Sequence, residues 1–159
     1  MAQFTTKQIR NVCFMGHGGS GKTSIAEAML YFTGTTDRLG KVSDGNTVSD
    51  FDAEEIKRGF SIYTSIQNVI WKNTKINILD TPGFLNFEGE VHSALRVADA
   101  AIIAVDAKAG IEVGTELAWE RAKAAKLPTA FFVNKYDDPD AHFHNVFDSL
   151  PENFGKDIC

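Results

Sequence analysis

The chain has 159 residues, 43% of them hydrophobic, enough for one packed domain and not comfortably enough for two. Its formal net charge of −5 excludes a broad cationic surface, so direct DNA binding is not expected. No apolar run approaches the ~18 residues of a membrane span, and Met1–Arg10 lacks the hydrophobic stretch of a signal peptide, so no membrane association and a cytoplasmic location are expected.

Short β-rich runs alternate with longer helical ones. Val12–Met15 reads as the end of a first strand, with Cys13 as a small buried apolar group. Cys13 and Cys159 stand at no metal-binding spacing, and a disulfide scaffold is not expected. After the glycine-rich turn Gly16–Gly21, Lys22–Phe32 predicts a helix with Ile25, Ala26, Met29 and Leu30 on one face and a stop at Gly34. Asp37–Gly59 is a polar segment without sustained period, and a loop of that length implies a functional reason. Phe60–Trp71 and Lys75–Leu79 predict antiparallel strands joined by a turn at Lys72–Thr74.

Glu88–Ala98 predicts a helix with Val91, Leu95 and Ala98 inward, and Ala100–Val105 a short strand. Val113–Lys126 predicts a helix that Pro128 closes off, and Thr129–Val133 another buried strand. Asp140 is expected to cap a last helix with Phe143, Val146, Phe147 and Leu150 facing the core. The alternation implies a layered α/β fold around a largely parallel sheet, with ligands beyond the carboxyl ends of the strands. Three loops that follow apolar strands, Gly16–Thr23, Asp80–Gly83 and Asn134–Asp137, should therefore converge.

The first of these loops, Gly16-His17-Gly18-Gly19-Ser20-Gly21-Lys22-Thr23, fits G-x-x-x-x-G-K-[ST]. Its glycines let backbone N–H groups wrap a phosphate, and the following helix adds free donors and its positive dipole end. Lys22 supplies a mobile charge to the β- and γ-phosphates, and Thr23 a hydroxyl for Mg2+; Ser24 completes the phosphate-binding set. His17 lies within the loop and reads as structural or ligand-framing rather than as a base.

In Asp80-Thr81-Pro82-Gly83, the carboxylate suits Mg2+, directly or through water, and the Gly83 N–H suits a γ-phosphate. Ser61, at the end of the long polar segment, offers a second hydroxyl to the metal, which would make that segment a switch ordered by the γ-phosphate. In Asn134-Lys135-Tyr136-Asp137, Asp137 can accept from the N1–H and 2-amino groups of guanine. Asn134 can bond to the base or brace the phosphate loop, and the stem of Lys135 can cover the ring.

Together, IRNV, GHGGSGKTSIAEAML, EEIKRGFSI, DTPGFLNFEGEV and NKYD resemble a translational GTPase, most closely the elongation-factor-G-like proteins, over about Thr6 to Phe154. The resemblance implies the phosphate-loop GTPase fold, with helices on both faces of a mostly parallel sheet. It implies GTP and GDP as ligands with Mg2+, and a ribosomal partner for the full-length protein. Hydrolysis would rest on Lys22 and Gly83.

Three residues depart from the pattern: Phe84 stands where the family often has histidine, Ser61 where it usually has threonine, and Gly19 where the main factors have aspartate. Phe84 cannot orient water through a side-chain hydrogen bond, so slow or partner-dependent hydrolysis is expected. The resemblance also implies that residues 1–159 form one GTP-binding domain that is incomplete at its C-terminus, without the loop on the far side of guanine or the later domains. A GTP-dependent binding module with negligible hydrolysis and a ribosomal-protection factor remain as alternatives; a kinase does not explain N-K-x-D. His142 and His144 beside Asp138 and Asp140 read as a solvated helix start rather than a metal cluster.

Overall fold

A computed structural model describes residues 4–155, so Cys159 lies outside the described residues. The chain runs through β1 (Ile9–Met15), α1 (Lys22–Phe32), α2 (Ala53–Arg58), β2 (Ser65–Trp71), β3 (Thr74–Asp80), α3 (Glu88–Leu95), β4 (Ala100–Asp106), α4 (Val113–Ala124), β5 (Thr129–Asn134) and α5 (Phe143–Phe154). The sheet order is β2-β3-β1-β4-β5. β1 pairs in parallel with β3 and β4, and β4 with β5. β2 is antiparallel to β3 through a two-residue turn in which Lys72 and Asn73 have φ of 43° and 66°, the left-handed pair that matches strand twist.

Strand periodicity divides the core. Cys13 and Met15 point to the face covered by α3, α4 and α5, where they meet Val91, Leu95, Ile103 and Val146. Phe14 points to the other face, where Ala26 and Leu30 of α1 close over Val69 and Ile78. β1 and β4 are buried on both faces and thus read as continuous apolar runs.

Several boundaries differ from expectation, each for a local reason. The polar segment is not wholly irregular: Asp52 caps α2, accepting from the Glu54 N–H, and Glu55 completes a capping box. The strand expected from Phe60 begins only at Ser65. Glu55 takes the Ile62 and Tyr63 N–H groups, and Glu90 the Thr64 N–H, so these amides do not enter the ladder. α3 ends at Leu95 rather than Ala98, where Asn11 binds the Val97 carbonyl and receives the Asp99 N–H as the chain turns into β4.

α4 stops two residues short of Lys126, which has φ 56°, while the Leu127 N–H returns to the Ala122 carbonyl. Asp140 does not cap α5. It pairs with Lys108 at 2.7 Å, and His142 precedes the helix without a side-chain cap. Val146 and Leu150 are buried as expected, whereas Phe147 stays 46% exposed, stacked on Phe143 one turn away. No helix of the described residues is long and apolar enough to cross a membrane.

Candidate nucleotide site

All three motif loops leave the carboxyl ends of parallel strands β1, β3 and β5, and register brings them to one edge. A cleft of about 230 Å³ opens there. Its walls include Lys22 and Thr23 from the first loop, Gly83 and Phe84 from the second, Lys135 from the third, and Asp50 with Ser61 from the polar segment. Gly18, Gly19, Gly21 and Ser24 also face it.

The phosphate loop is held open by close backbone packing. Gly21 caps α1 with φ 90°, and a Cβ there would strike the Asn134 amide, which donates to the Ser20 carbonyl at 2.9 Å. Asn134 thus braces the loop, one of the two roles expected of it. Lys22 is buried, and its Nζ donates to the Gly16 and His17 carbonyls at 3.1 and 2.8 Å. Burial pushes its pKa down to about 8, against the pull of Asp80, Asp50 and Glu112. A Cβ on Gly83 would lie 2.5 Å from Lys22 Nζ and 2.7 Å from Gly18, so the second loop packs directly on the first.

Thr23, Ser61 and Asp80 meet at this edge. Thr23 Oγ1 donates to Asp80 Oδ2 at 2.7 Å and lies 3.2 Å from Ser61 Oγ. Asp80 is fully buried, and burial raises its pKa to about 6 despite the Thr23 hydrogen bond and the Lys22 charge. The neighbouring Thr81 anchors the turn by donating from its hydroxyl to the Phe14 carbonyl at 2.6 Å.

Two carboxylate oxygens, Asp80 Oδ1 and Asp50 Oδ2, are buried without a protein partner. Such groups are costly unless something satisfies them, and a divalent cation held by Thr23, Ser61 and Asp80 fits this donor set. Among the described residues, no three His, Cys, Asp or Glu side chains gather to hold a metal alone, and Asp138 and Asp140 instead flank Lys108.

Other expected residues stand apart. The His17 ring does not line the cleft and turns toward α4; only its carbonyl reaches Lys22. Asp137 is exposed and outside the cleft lining. Lys135, with φ 59°, sends Nζ to Asp106 at 2.7 Å, leaving its stem along the cleft.

Sequence reasoning missed three carboxylates. Asp50 accepts from Ser61 Oγ at 2.7 Å, Glu27 accepts from the Val48 N–H at 2.6 Å, and Glu55 holds the approach to Ser61. Only Glu55 carried a readable signal, the D-x-x-E spacing of Asp52 and Glu55 before a helix. Glu27 sat on the face that Ala26 and Leu30 marked as apolar, and nothing local distinguished Asp50 from its polar neighbours.

The profile of the "Elongation factor Tu GTP binding domain" matches residues 7–158. The chain is 42% identical over 152 residues to the mitochondrial ribosome-releasing factor 2 of Drosophila grimshawi, covering 95% of this chain and 21% of that protein. To the elongation factor G of Granulibacter bethesdensis it is 38% identical over 152 residues, 96% of this chain and 22% of the relative. A crystal structure of a protein from Thermus thermophilus superposes with a TM-score of 0.89 at 38% identity, covering 93% of this chain and 22% of that one.

The chain therefore spans about a fifth of the length of these relatives. The expected cytoplasmic location is overturned, because the ribosome-releasing relatives from Drosophila grimshawi, Danio rerio and Mus musculus are mitochondrial. The expectation rested on the lack of a long apolar leader. That tests for secretion, whereas mitochondrial addresses are amphipathic and rich in Arg and Ser.

Proposed function

Because the chain belongs to the family of the elongation factor Tu GTP-binding domain, within the translational GTPases, we propose that it binds GTP and GDP with Mg2+ and hydrolyses GTP slowly, as the nucleotide-binding part of a ribosome-associated factor. Residues 1–159 are taken as one such domain. The observation that carries the proposal is the meeting of Lys22, Thr23, Ser61, Asp80 and Gly83 at one cleft. The mitochondrial relatives support a mitochondrial rather than a cytoplasmic location, and their names support a ribosomal partner.

In this reading the loop glycines and the first turn of α1 receive the phosphates, and Lys22, held by the Gly16 and His17 carbonyls, turns its remaining N–H to phosphate oxygens. Thr23, Ser61 and Asp80 would hold Mg2+, whose charge would offset that of the phosphates. Lys22 and the Gly83 N–H stabilise charge on the transferring group. Asp137 accepts from guanine, the Lys135 stem covers the base, and Asn134 keeps the loop in place.

Phe84 sets the rate. Its ring packs on Phe60 at 4.6 Å, and a Cβ on Gly18 would lie 3.0 Å from it, so an apolar lid stands beside the phosphate loop. It offers neither a proton acceptor nor a donor to water. This favours as a second reading a GTP-dependent binding module with negligible hydrolysis. Single-turnover GTP hydrolysis by the wild-type chain and Phe84→His, with and without mitochondrial ribosomes, separates the two. Slow intrinsic turnover that ribosomes or Phe84→His accelerate at least about ten-fold supports the GTPase. Turnover that neither changes supports the binding module, and fast unassisted turnover by the wild type contradicts the role assigned to Phe84.

A further inference from the structure

We propose that His17 is a positioning residue that couples the N-terminus of α4 to the phosphate loop and acts on bound nucleotide through Lys22. The inference rests on reading the Lys22 cleft as a GDP and GTP site. The His17 ring lies outside that cleft. Its Nδ1 accepts the Gly114 N–H at 3.2 Å, and its Nε2 lies 3.5 Å from Glu112 Oε1. An accepting Nδ1 places the proton of the neutral ring on Nε2, the nitrogen that faces the carboxylate.

The contact is close enough to dictate sequence on the far side. A Cβ on Gly114 would lie 2.7 Å from His17 Cα and 2.8 Å from Nδ1, so any side chain there would drive into the phosphate loop. Glycine is among the poorest helix formers, yet Gly114 lies within the first turn of α4. The approach of the loop supplies the reason. Glu112, the residue before α4, is itself held by a capping box with Thr115, which fixes the platform against which His17 rests.

The same residue reaches the reacting side through its backbone. The His17 carbonyl accepts from Lys22 Nζ at 2.8 Å, beside the Gly16 carbonyl at 3.1 Å. His17 therefore holds α4 with its ring and the phosphate-binding lysine with its peptide. Loss of the ring contact frees the peptide to rotate and moves the carbonyl that presets Lys22. No motif rule requires histidine here, because the pattern leaves this position open.

Dissociation of a fluorescent GDP analogue tests the coupling in the wild type, His17→Ala and His17→Asn, alongside melting of the nucleotide-free chains. The Asn side-chain oxygen stands where Nδ1 stands and can accept the Gly114 N–H. His17→Ala is expected to release the analogue about five- to ten-fold faster, the worth of one hydrogen bond, with melting close to wild type. His17→Asn is expected to recover most of that loss. Should His17→Ala fail to fold, Gly114→Ala displaces the loop from the other side and is expected to speed release likewise. Wild-type release from His17→Ala, or equal loss in both His17 variants, overturns the coupling alone. A folded wild-type chain that binds no GDP analogue overturns the nucleotide site, and the coupling with it.

Discussion

Thr23 and Asp80 share a 2.7 Å hydrogen bond at the carboxyl edge of the sheet, joining the first turn of α1 to the end of β3. The bond accounts for one oxygen of a fully buried carboxylate and leaves the other unpartnered. Without a metal, the ionised form is costly, which is why burial lifts the pKa to about 6. The stability Asp80 contributes is then fully present below its unfolded value of 3.8 and is lost as pH rises through about 6.

Asp80→Asn should therefore stabilise the metal-free chain at neutral pH while weakening its ligand. A gain of about 1 kcal/mol corresponds to roughly 2–4 °C in melting temperature for a chain of this size. Magnesium-dependent nucleotide affinity should fall at least about ten-fold. Melting curves at pH 4 and pH 7, with nucleotide titrations, check both signs. A variant that melts lower at pH 7 and binds as well as wild type would remove Asp80 from the metal site.

Lys22 predicts a second pH effect. Its pKa of about 8 in the free chain reflects burial, which outweighs the pull of Asp80, Asp50 and Glu112. A phosphate ligand favours the charged form, so GDP binding should take up a fraction of a proton near pH 8 and almost none at pH 6. Affinity should then weaken as pH rises above about 8. Calorimetry in two buffers of different ionisation enthalpy measures the uptake, and an absence of buffer dependence at pH 8 would mean that Lys22 is already fully charged.

Glu27 predicts a mutation effect away from the phosphates. Its carboxylate accepts from the Val48 and Ser49 N–H groups at 2.6 and 3.4 Å, and Gly40 leaves it no spare room. Glu27→Ala leaves those amides without a partner, at a cost of about 1–3 kcal/mol. The loss should fall on the segment 40–50, which would be cleaved faster by protease, and binding of a magnesium-bound GTP analogue should weaken more than binding of GDP. Equal cleavage rates and an unchanged preference would show that the segment is ordered by other contacts.

Local patterns made much of this legible beforehand. The limits of α1 follow from the glycine turn before it and the loss of apolar period after it, and residues 22–32 form the helix expected. Strands β1, β4 and β5 announced themselves as apolar runs, and a parallel sheet then requires that their following loops meet. β5 is not buried as expected, because it ends the strand order and leaves Ala130 and Phe132 exposed. Long-range partners were not legible. Glu55 and Glu90 delay β2 by capturing amides from other elements. Phe147 is exposed because α5 turns Val146 and Leu150 inward instead. His17 showed its loop membership, but only the fold could bring it to Gly114, far along the sequence.

Three loops that make one magnesium-dependent guanine-nucleotide site should discriminate among nucleotides by themselves. Calorimetric titration of the chain with GDP, a non-hydrolysable GTP analogue and an ATP analogue, with and without magnesium, measures that discrimination. Both guanine nucleotides are expected to bind, the ATP analogue not measurably, and the GTP analogue more tightly when magnesium is present. A folded chain that binds none of them, or that binds adenine and guanine nucleotides alike, would contradict such a site.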